Sequence, residues 1–418
     1  MILTKFRFFL LTYVLIALSG CSSYSSFTQL KTVPDPLIYR EDELRTRLFP
    51  NSTKNLQTKN VLYVTDRTPA KEEDLEKYYK NERSPALRAG LAEILPAIKT
   101  GKKISTVNSV EEFGYLAGAM PYGELSSTTD KEFLQLNQAD KEFKAAIDNQ
   151  LRQSTNKDIY IYVHGYKVVF ENPLLITHEL WRFMSHEGVF LAYAWPSTPN
   201  KFAYLKDIET AQLSGQNLRL LIEYLAQNTE VERIHILGYS AGTRVVMTAI
   251  QQLALKYDHL DSHEIQEKLK VENVILTASD YDISVFAASI GNGLLNVASR
   301  MTIYMSGSDK ALGISSWIFR QQRLGQYIKE ADSTMNERVK RYLSENERLQ
   351  FVDATRAESA NSGNGHGYFI KSPWVSSDII LSLTQNKAPN ERGLVRQKDN
   401  IQWEFPENYK DELRTILE

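Results

Sequence analysis

The chain has 418 residues, of which 42% are hydrophobic and 24% are charged, and its formal net charge is −2. This composition is typical of a globular protein with one large α/β domain or two smaller domains. A net charge near zero without a long run of Lys or Arg argues against a nucleic-acid-binding surface. Cys21 is the only cysteine in the sequence, which excludes an intrachain disulfide.

The N-terminus has the layout of a secretory signal peptide. Two basic residues precede an apolar run from Phe8 to Leu18, and small residues follow. The ending LSGC at residues 18–21 resembles the lipobox of bacterial lipoproteins. This resemblance implies that residues 1–20 are removed and that Cys21 carries the lipid, whereas an ordinary secretory signal is the alternative. Ser22 after the cysteine resembles lipoproteins of the Gram-negative outer membrane. We therefore expect a lipid-anchored protein of the cell envelope, attached to the outer membrane and facing the periplasm.

Composition along the rest of the chain indicates three further regions. Residues 21–55 are polar and contain prolines, which predicts a lipidated N-terminus and a tether. Residues 56–388 are predicted to form the folded domain. Residues 389–418 are predicted to form a C-terminal arm, in which Trp403 and Phe405 either pack on the domain or belong to an interaction strand.

Apolar runs typical of strands alternate along this domain with segments typical of helices. The predicted strands are NVLYVTDR (60–67), FGYLAGAMP (113–121), DIYIYVHGY (158–166), VFLAYAWPS (189–197), RIHILGYS (233–240), KVENVILTASD (270–280), MTIYMSGSD (301–309) and RLQFVDAT (348–355). The predicted helices are residues 72–98, 130–151, 173–185, 203–226, 241–257 and 374–385. This order predicts an α/β fold with a mainly parallel central sheet, helices on both faces and helical insertions. In such sheets the ligand site lies beyond the carboxyl ends of the strands.

Three residues at predicted strand ends suggest nucleophilic catalysis. Ser240 lies at the centre of GYSAG between a strand and a helix, where the flanking glycines permit the strained turn that exposes a nucleophile. Asp309 follows a later strand, and His366 lies in a Gly-rich loop after the last predicted strand. A neutral His can remove the hydroxyl proton, and a carboxylate can orient that His. The chain order Ser, Asp, His is the order of α/β-hydrolases.

Supporting groups and alternatives follow from the same strand ends. An oxyanion hole requires backbone N–H donors, for which we predict Ala241, next to the nucleophile, and Tyr166, in the loop after VHG. His164 is predicted to support that loop. Asp280 or Asp282, one strand earlier, is the alternative acid, and a purely structural Gly-X-Ser-X-Gly turn is the alternative for the serine itself.

We predict no cofactor and no metal. His259 and His263 are four residues apart, but the sequence offers no convincing third ligand, which favours a solvated helix face. The GNGLLN segment near Gly291 lacks the third glycine of a dinucleotide-binding turn.

Several motifs together resemble a bacterial α/β-hydrolase family of unknown function. They are TDR (65–67), VHGY, LAYAWPS, LGYSAGTRV, TASDYDISVF, YMSGSDKAL and GHGYF, and they extend from about Val61 to about Leu383. The resemblance implies an α/β-hydrolase fold and, by motif position, a triad of Ser240, Asp309 and His366. It implies no substrate.

Two segments extend beyond a minimal hydrolase core. Residues 71–103 are charged and predicted to be a helical insertion. Within residues 311–347, an apolar set at roughly helical spacing predicts a core-covering helix, with a lid or a membrane-facing surface as the alternative. The members of that set are Trp317, Ile318, Leu324 and Ile328.

The predicted function is that of a lipid-anchored serine hydrolase that cleaves a carboxylic ester through an acyl-enzyme. Its expected partners are the membrane, through the anchor, and a small acyl-ester or lipid substrate. The alternative is a non-catalytic envelope lipoprotein that uses the hydrolase fold as a scaffold for a binding partner. The oligomeric state stays open.

Overall fold

The computed structural model describes residues 28–40, 42–50, 60–97, 103–119, 130–200, 203–319, 321–326, 341–343, 345–396 and 401–417. The signal segment and Cys21 therefore lie outside the described residues. Within the described ranges, one 11-stranded sheet has the order β1-β4-β3-β2-β6-β5-β7-β8-β9-β10-β11. The strands are β1 (Gln29–Lys31), β2 (Asn60–Pro69), β3 (Tyr79–Leu95), β4 (Ile104–Tyr115), β5 (Asp158–Val163), β6 (Val189–Tyr193), β7 (Arg233–Tyr239), β8 (Val271–Thr277), β9 (Arg300–Met305), β10 (Leu349–Asp353) and β11 (Gln402–Glu404).

Helices occupy most of the connections between these strands. They are α1 (Leu37–Arg40), α2 (Asp42–Leu48), α3 (Asp130–Gln153), α4 (Glu171–Phe183), α5 (Tyr204–Asn228), α6 (Gly242–Lys256), α7 (Ser262–Leu269), α8 (Ile283–Gly291), α9 (Lys310–Phe319), α10 (Tyr368–Lys371), α11 (Pro373–Gln385) and α12 (Tyr409–Leu417). None of the helices in the described part of the chain is long and apolar enough to cross a membrane.

The central strand β5 shows how the sheet is buried. Its six residues are all buried, and their side chains alternate between two cores. Ile159 and Ile161 belong to a core that includes residues of α3, α5 and α6. Tyr160 and Tyr162 belong to a second core that includes residues of α4, α11 and α12. The sheet is therefore covered on both faces, and the predicted fold class is confirmed.

The strands that carry the candidate site are parallel to one another. Each neighbouring pair from β2 through β6, β5, β7, β8, β9 and β10 to β11 is parallel. Their carboxyl ends consequently lie at one edge of the sheet, where residues that follow different strands can meet.

The prediction of a helix in the segment 71–103 is wrong. Residues 79–95 form the 17-residue strand β3, which pairs antiparallel with β2 on one side and with β4 on the other. Pro85 is unfavourable in a helix interior. The side chains of Leu87 and Ala89 enter one core, whereas Ala92 and Ile94 enter another. Antiparallel pairing with the strands that directly precede and follow it in the chain outweighs the helix propensity of the Ala, Glu and Leu residues here.

Two other predictions, the strand at residues 113–121 and the position of the last strand, are partly wrong. The predicted strand at residues 113–121 is only the end of β4, and a short 3-10 helix follows at Ala117–Ala119. The predicted last strand, β10, is followed by β11, which contains Trp403 and pairs parallel with β10. Phe405 is buried in the core that includes α11 and α12.

The segment 311–347 only partly follows the predicted helical spacing. Helix α9 contains Trp317 and Ile318 but ends at Phe319. Leu324 is buried in a non-helical stretch beyond that end, where Arg323 forms an isolated bridge with Asp282. Ile328 lies outside the described residues. One continuous helix therefore does not carry all four apolar side chains.

Candidate active site

Ser240 lies in a strained turn between β7 and α6. Its φ of 53° is in the left-handed region, which costs a non-glycine residue free energy and is typical of a nucleophile elbow. The Ser240 N–H donates to the Thr277 carbonyl oxygen at 3.0 Å, which ties the turn to β8. A Cβ on Gly242 would overlap the backbone oxygens of His164 and Val163. The second glycine of GYSAG is therefore required by the close approach of α6 to the end of β5.

The side chains of Ser240, His366 and Asp309 form a continuous hydrogen-bonded chain. The distance from the Ser240 Oγ to the His366 Nε2 is 2.8 Å. The distance from the His366 Nδ1 to the Asp309 Oδ2 is 2.7 Å. With the Nδ1–H donating to the carboxylate, Nε2 is left free to accept the hydroxyl proton. The structure thus brings together the three residues predicted to act as nucleophile, base and acid.

Each carboxylate oxygen of Asp309 has a separate partner. Its Oδ2 faces His366, whereas its Oδ1 accepts hydrogen bonds from the backbone N–H groups of Ala311 and Leu312, both at 3.0 Å. These donors belong to the first turn of α9, where exposed N–H groups favour an anion. The helix terminus therefore fixes the orientation of the carboxylate towards His366.

The loop that carries His366 is held against the loop that carries Asp309. Gly365 has a φ of +71°, and a Cβ there would overlap the backbone of Ser308. The Asn364 carbonyl accepts from the Lys310 N–H at 3.0 Å. The Tyr239 ring lies 5.2 Å from the His366 ring, centroid to centroid. The two backbone contacts hold the loop that carries His366, and the Tyr239 ring packs beside its imidazole.

The two alternative acids have other partners. Asp280 accepts from Arg244 Nε at 3.0 Å and from the Ser315 hydroxyl at 2.5 Å. Asp282 caps α8 by accepting from the backbone N–H of Ser284 at 2.8 Å and that of Val285 at 3.2 Å. The hydrogen bonds of the described residues therefore favour Asp309 as the partner of His366.

The two predicted oxyanion donors flank the elbow. Ala241 is the N-cap residue of α6, so its N–H lies at the positive end of the helix. Tyr166 follows Gly165, on which an added Cβ would lie 3.0 Å from the Ser240 Cβ. The Tyr166 side chain is half-buried. Burial raises the pKa of its hydroxyl, as do the negative charges of Asp280 and Asp207, so the phenol is neutral at neutral pH.

His164 is buried behind the loop that contains Tyr166. Its Nδ1 lies 2.7 Å from the Gly165 carbonyl oxygen and its Nε2 lies 3.0 Å from that of Trp195. The Trp195 indole N–H donates in return to the His164 carbonyl at 2.6 Å. Burial, together with the positive charge of Arg67, lowers the pKa of His164 to about 3. The neutral ring has one N–H and can donate to only one of these two carbonyl oxygens, and together with the Trp195 indole it ties the backbone before the loop to the end of β6.

The remaining histidines do not enter this site. His259 lies in the turn before α7 and His263 lies in the first turn of that helix. They therefore do not share one helix face as the sequence spacing suggested. His235 and His178 are buried in other parts of the fold.

Sequence reasoning missed two residues beside the site, Arg67 and Ser197, which hydrogen-bond to the loop after β5. Both lie in motifs that support the family resemblance, TDR and LAYAWPS. Their presence in these motifs is the sequence signal that could have identified them. Their contacts join segments more than 100 residues apart for Arg67 and 29 residues apart for Ser197, and no local pattern encodes such contacts.

The profile of the family described as "Alpha/beta hydrolase of unknown function (DUF900)" matches residues 139–383. No curated protein and no solved structure is significantly similar to the chain. The matched region contains the elbow serine, the carboxylate and the histidine that meet at the edge of the sheet. The chain belongs to this α/β-hydrolase family of unknown function.

Proposed function

We propose that the protein is a serine hydrolase that cleaves a carboxylic ester through an acyl-enzyme intermediate. One observation carries the proposal: the hydrogen-bonded chain from the Ser240 Oγ through His366 to Asp309, with distances of 2.8 and 2.7 Å. Membership of an α/β-hydrolase family supports hydrolytic chemistry. The ester bond and the role of each residue are our inference from this geometry.

In the proposed reaction, Ser240 Oγ attacks the ester carbonyl carbon while His366 Nε2 takes the hydroxyl proton. The carbonyl oxygen becomes an oxyanion, which the N–H groups of Ala241 and Tyr166 stabilise. Collapse of this intermediate breaks the bond to the alkoxide, which leaves as an alcohol after accepting the proton from His366. Water then attacks the acyl-enzyme by the same route and releases the carboxylic acid and free Ser240.

Hydrolysis of p-nitrophenyl esters of increasing chain length tests this proposal. We expect turnover by the wild-type protein, loss of turnover in Ser240→Ala, and a fall in kcat of about 10⁴-fold in Asp309→Asn because the amide favours the wrong tautomer of His366. A sharp optimum for long chains would indicate a lipase, whereas turnover of short chains alone would indicate an esterase.

Asp282→Asn is the matched control for the carboxylate, because its hydrogen bonds to Ser284 and Val285 cap α8 away from His366. We expect it to keep the wild-type kcat. If Ser240→Ala hydrolyses the esters as fast as the wild type, or if the folded wild type hydrolyses none of them, the enzymatic proposal fails. A cellular role that persists in Ser240→Ala would instead support the non-catalytic scaffold.

We also propose that Cys21 carries the lipid anchor and that the protein is attached to the outer membrane, facing the periplasm. The lipobox-like LSGC and the following Ser22 support this proposal. Metabolic labelling with an alkyne analogue of palmitate should label the wild-type protein and not Cys21→Ala. The labelled protein should sediment with outer membranes. Labelling of Cys21→Ala, or release of the wild type as a soluble protein, would contradict the anchor.

A further inference from the structure

The loop after β5, residues 165–168, is held firmly at its last residue. The Val168 carbonyl accepts from Arg67 Nη2 and from the Ser197 hydroxyl, both at 3.0 Å. The Val168 N–H donates to the same Ser197 oxygen at 3.2 Å. Lys167, one residue earlier, has a φ of 62°. A strained residue persists only where its surroundings fix it, and Arg67 and Ser197 fix the residue that follows it, Val168.

Arg67 connects this loop to two other parts of the sheet. The residue is fully buried. Its Nε donates to the Ala194 carbonyl at 3.2 Å, directly after β6, and its Nη1 donates to the Asn81 side chain on β3. The neighbouring Thr65 hydroxyl donates to the same Ala194 carbonyl at 2.6 Å. The planar guanidinium therefore fixes the loop relative to β3 and the end of β6.

The charge of Arg67 also acts on this region. After burial, it is the largest contribution that lowers the pKa of His164, whose own backbone precedes the loop. A positive charge that disfavours an imidazolium at this position favours an anion nearby. The negative charge that develops in the proposed reaction lies on the carbonyl oxygen near the Tyr166 N–H, on the same loop.

We propose that Arg67 is a positioning residue of the oxyanion hole: through Val168 it holds the loop that presents the Tyr166 N–H, and Ser197 assists it. This inference rests on the proposed function, since it assigns a role within that reaction. It predicts a defect in the chemical step, because the donor stabilises charge that appears only in the transition state.

The experiment compares Arg67→Gln, Arg67→Lys and Ser197→Ala with the wild type on p-nitrophenyl acetate, with active sites counted by a fluorophosphonate probe. In Arg67→Gln we expect kcat to fall about 10- to 100-fold, less than the loss of a donor itself, with KM within about threefold. Arg67→Lys keeps the positive charge but loses the planar guanidinium with its several N–H donors. Its kcat should therefore lie between those of the wild type and Arg67→Gln. Ser197→Ala should lose about 3- to 10-fold in kcat.

Arg392→Lys is the matched control. Arg392 is also fully buried, and its Nε donates to Asp378 at 2.7 Å in another part of the fold. The kcat of Arg392→Lys, per active site counted with the probe, should stay within about twofold of the wild-type value. The inference is overturned if folded Arg67→Gln keeps the wild-type kcat, if KM carries the loss, or if Arg392→Lys loses as much. Should both Arg67 variants fail to fold, an unchanged kcat in Ser197→Ala overturns it.

Hydrogen–deuterium exchange supplies a readout that does not need activity. Peptides that span residues 165–169 should exchange faster in Arg67→Gln than in the wild type, whereas peptides from α6 should not change. Equal exchange at 165–169 would overturn the positioning role. A folded wild type that neither hydrolyses esters nor reacts with the probe would instead contradict the proposed function. In that case the exchange measurement would still show whether Arg67 fixes the loop at residues 165–169.

Discussion

Ser240 occupies a backbone conformation that its own side chain disfavours. A non-glycine residue with a φ of 53° costs on the order of 1–2 kcal/mol, and the hydrogen bond from its N–H to Thr277 helps to maintain it. The strained turn places the Ser240 hydroxyl 2.8 Å from the His366 Nε2. The cost in stability at this residue is consistent with selection for a defined position of the hydroxyl.

Two inactive variants should separate this strain from the chemistry. Ser240→Gly should be more stable than Ser240→Ala by about 0.5–1 kcal/mol, because glycine adopts positive φ without a steric penalty. Urea unfolding of both variants measures the difference. If the alanine variant is equally stable or more stable, the elbow is not strained in the way described.

A second residue, Asp66, should make stability depend on pH. Its buried Oδ2 accepts from Asn217 at 3.1 Å, whereas the Tyr193 hydroxyl, 3.4 Å from the same oxygen, donates to the Ser214 carbonyl at 2.8 Å. Its Oδ1 has no hydrogen-bond partner among the described residues. Burial raises its pKa. The native state therefore holds the proton more tightly than the unfolded state, and stability falls as pH rises from about 3.9, the usual pKa, through the raised value.

Asp66→Asn mimics the protonated carboxyl and removes this dependence. We expect the Tm of the variant to rise relative to that of the wild type as the pH rises above about 4, the usual pKa of Asp, until the pH passes the raised pKa of Asp66. Thermal unfolding across this range checks the prediction. A Tm difference that stays constant, or that reverses at higher pH, would show that Asp66 is ionised in the native state.

At the scale of single elements, the two glycines of GYSAG have different roles. A Cβ on Gly242 would overlap backbone oxygens at the end of β5, which cannot move without displacing the sheet. A Cβ on Gly238 would lie 3.0 Å from the Val246 Cγ2 and 3.4 Å from the Thr243 Cα, a tight contact that small shifts can relieve.

Gly242→Ala should therefore destabilise the protein by at least about 2–3 kcal/mol, whereas Gly238→Ala should cost about 1 kcal/mol. Denaturant titration of the two variants measures both values. Similar costs for the two substitutions would mean that the approach of α6 to β5 is looser than the structure indicates.

Elements that carry their signal locally could be predicted from the sequence. Strand β5 is a continuous β-branched and aromatic run, and the observed strand begins at the predicted residue, Asp158, and ends at Val163, three residues before the predicted end. Asp309 and His366 could be predicted as site residues because both follow strands of a parallel sheet, and the carboxyl ends of such strands lie on the same side of the sheet. Strand β3 was predicted as a helix because its Ala, Glu and Leu residues favour helices, whereas the pairing with β2 and β4 that makes it a strand forms only in the sheet. The hydrogen bond from Arg67 to the Val168 carbonyl could not be predicted from the sequence, because it forms only in the folded protein.

At the scale of the whole molecule, the sheet has one short strand at each edge. Strand β1 pairs antiparallel with β4 at one edge, and β11 pairs parallel with β10 at the other. The chain around β11 also covers the core: the Tyr409 ring lies 4.8 Å from that of Phe405 and 5.5 Å from that of Trp374. Leu413 of α12 is buried in the same core.

Deletion of residues 401–418 should therefore impair folding although it leaves the candidate site intact. It would expose the edge of β10 and the apolar surface beneath α12, both of which favour aggregation. We expect a large loss of soluble protein and early elution in size-exclusion chromatography relative to the full chain. A truncated protein that stays monomeric with an unchanged Tm would show that this arm is not part of the folded core.

We propose that Ser240 is a nucleophile activated by His366. Reaction of the folded protein with a fluorophosphonate, followed by trypsin digestion and mass spectrometry, measures this reactivity. We expect one adduct per chain on the peptide of residues 234–244, which contains Ser240, and no adduct in His366→Ala. A folded wild-type protein without an adduct, or with its adduct on a different residue, would show that Ser240 is not the activated nucleophile.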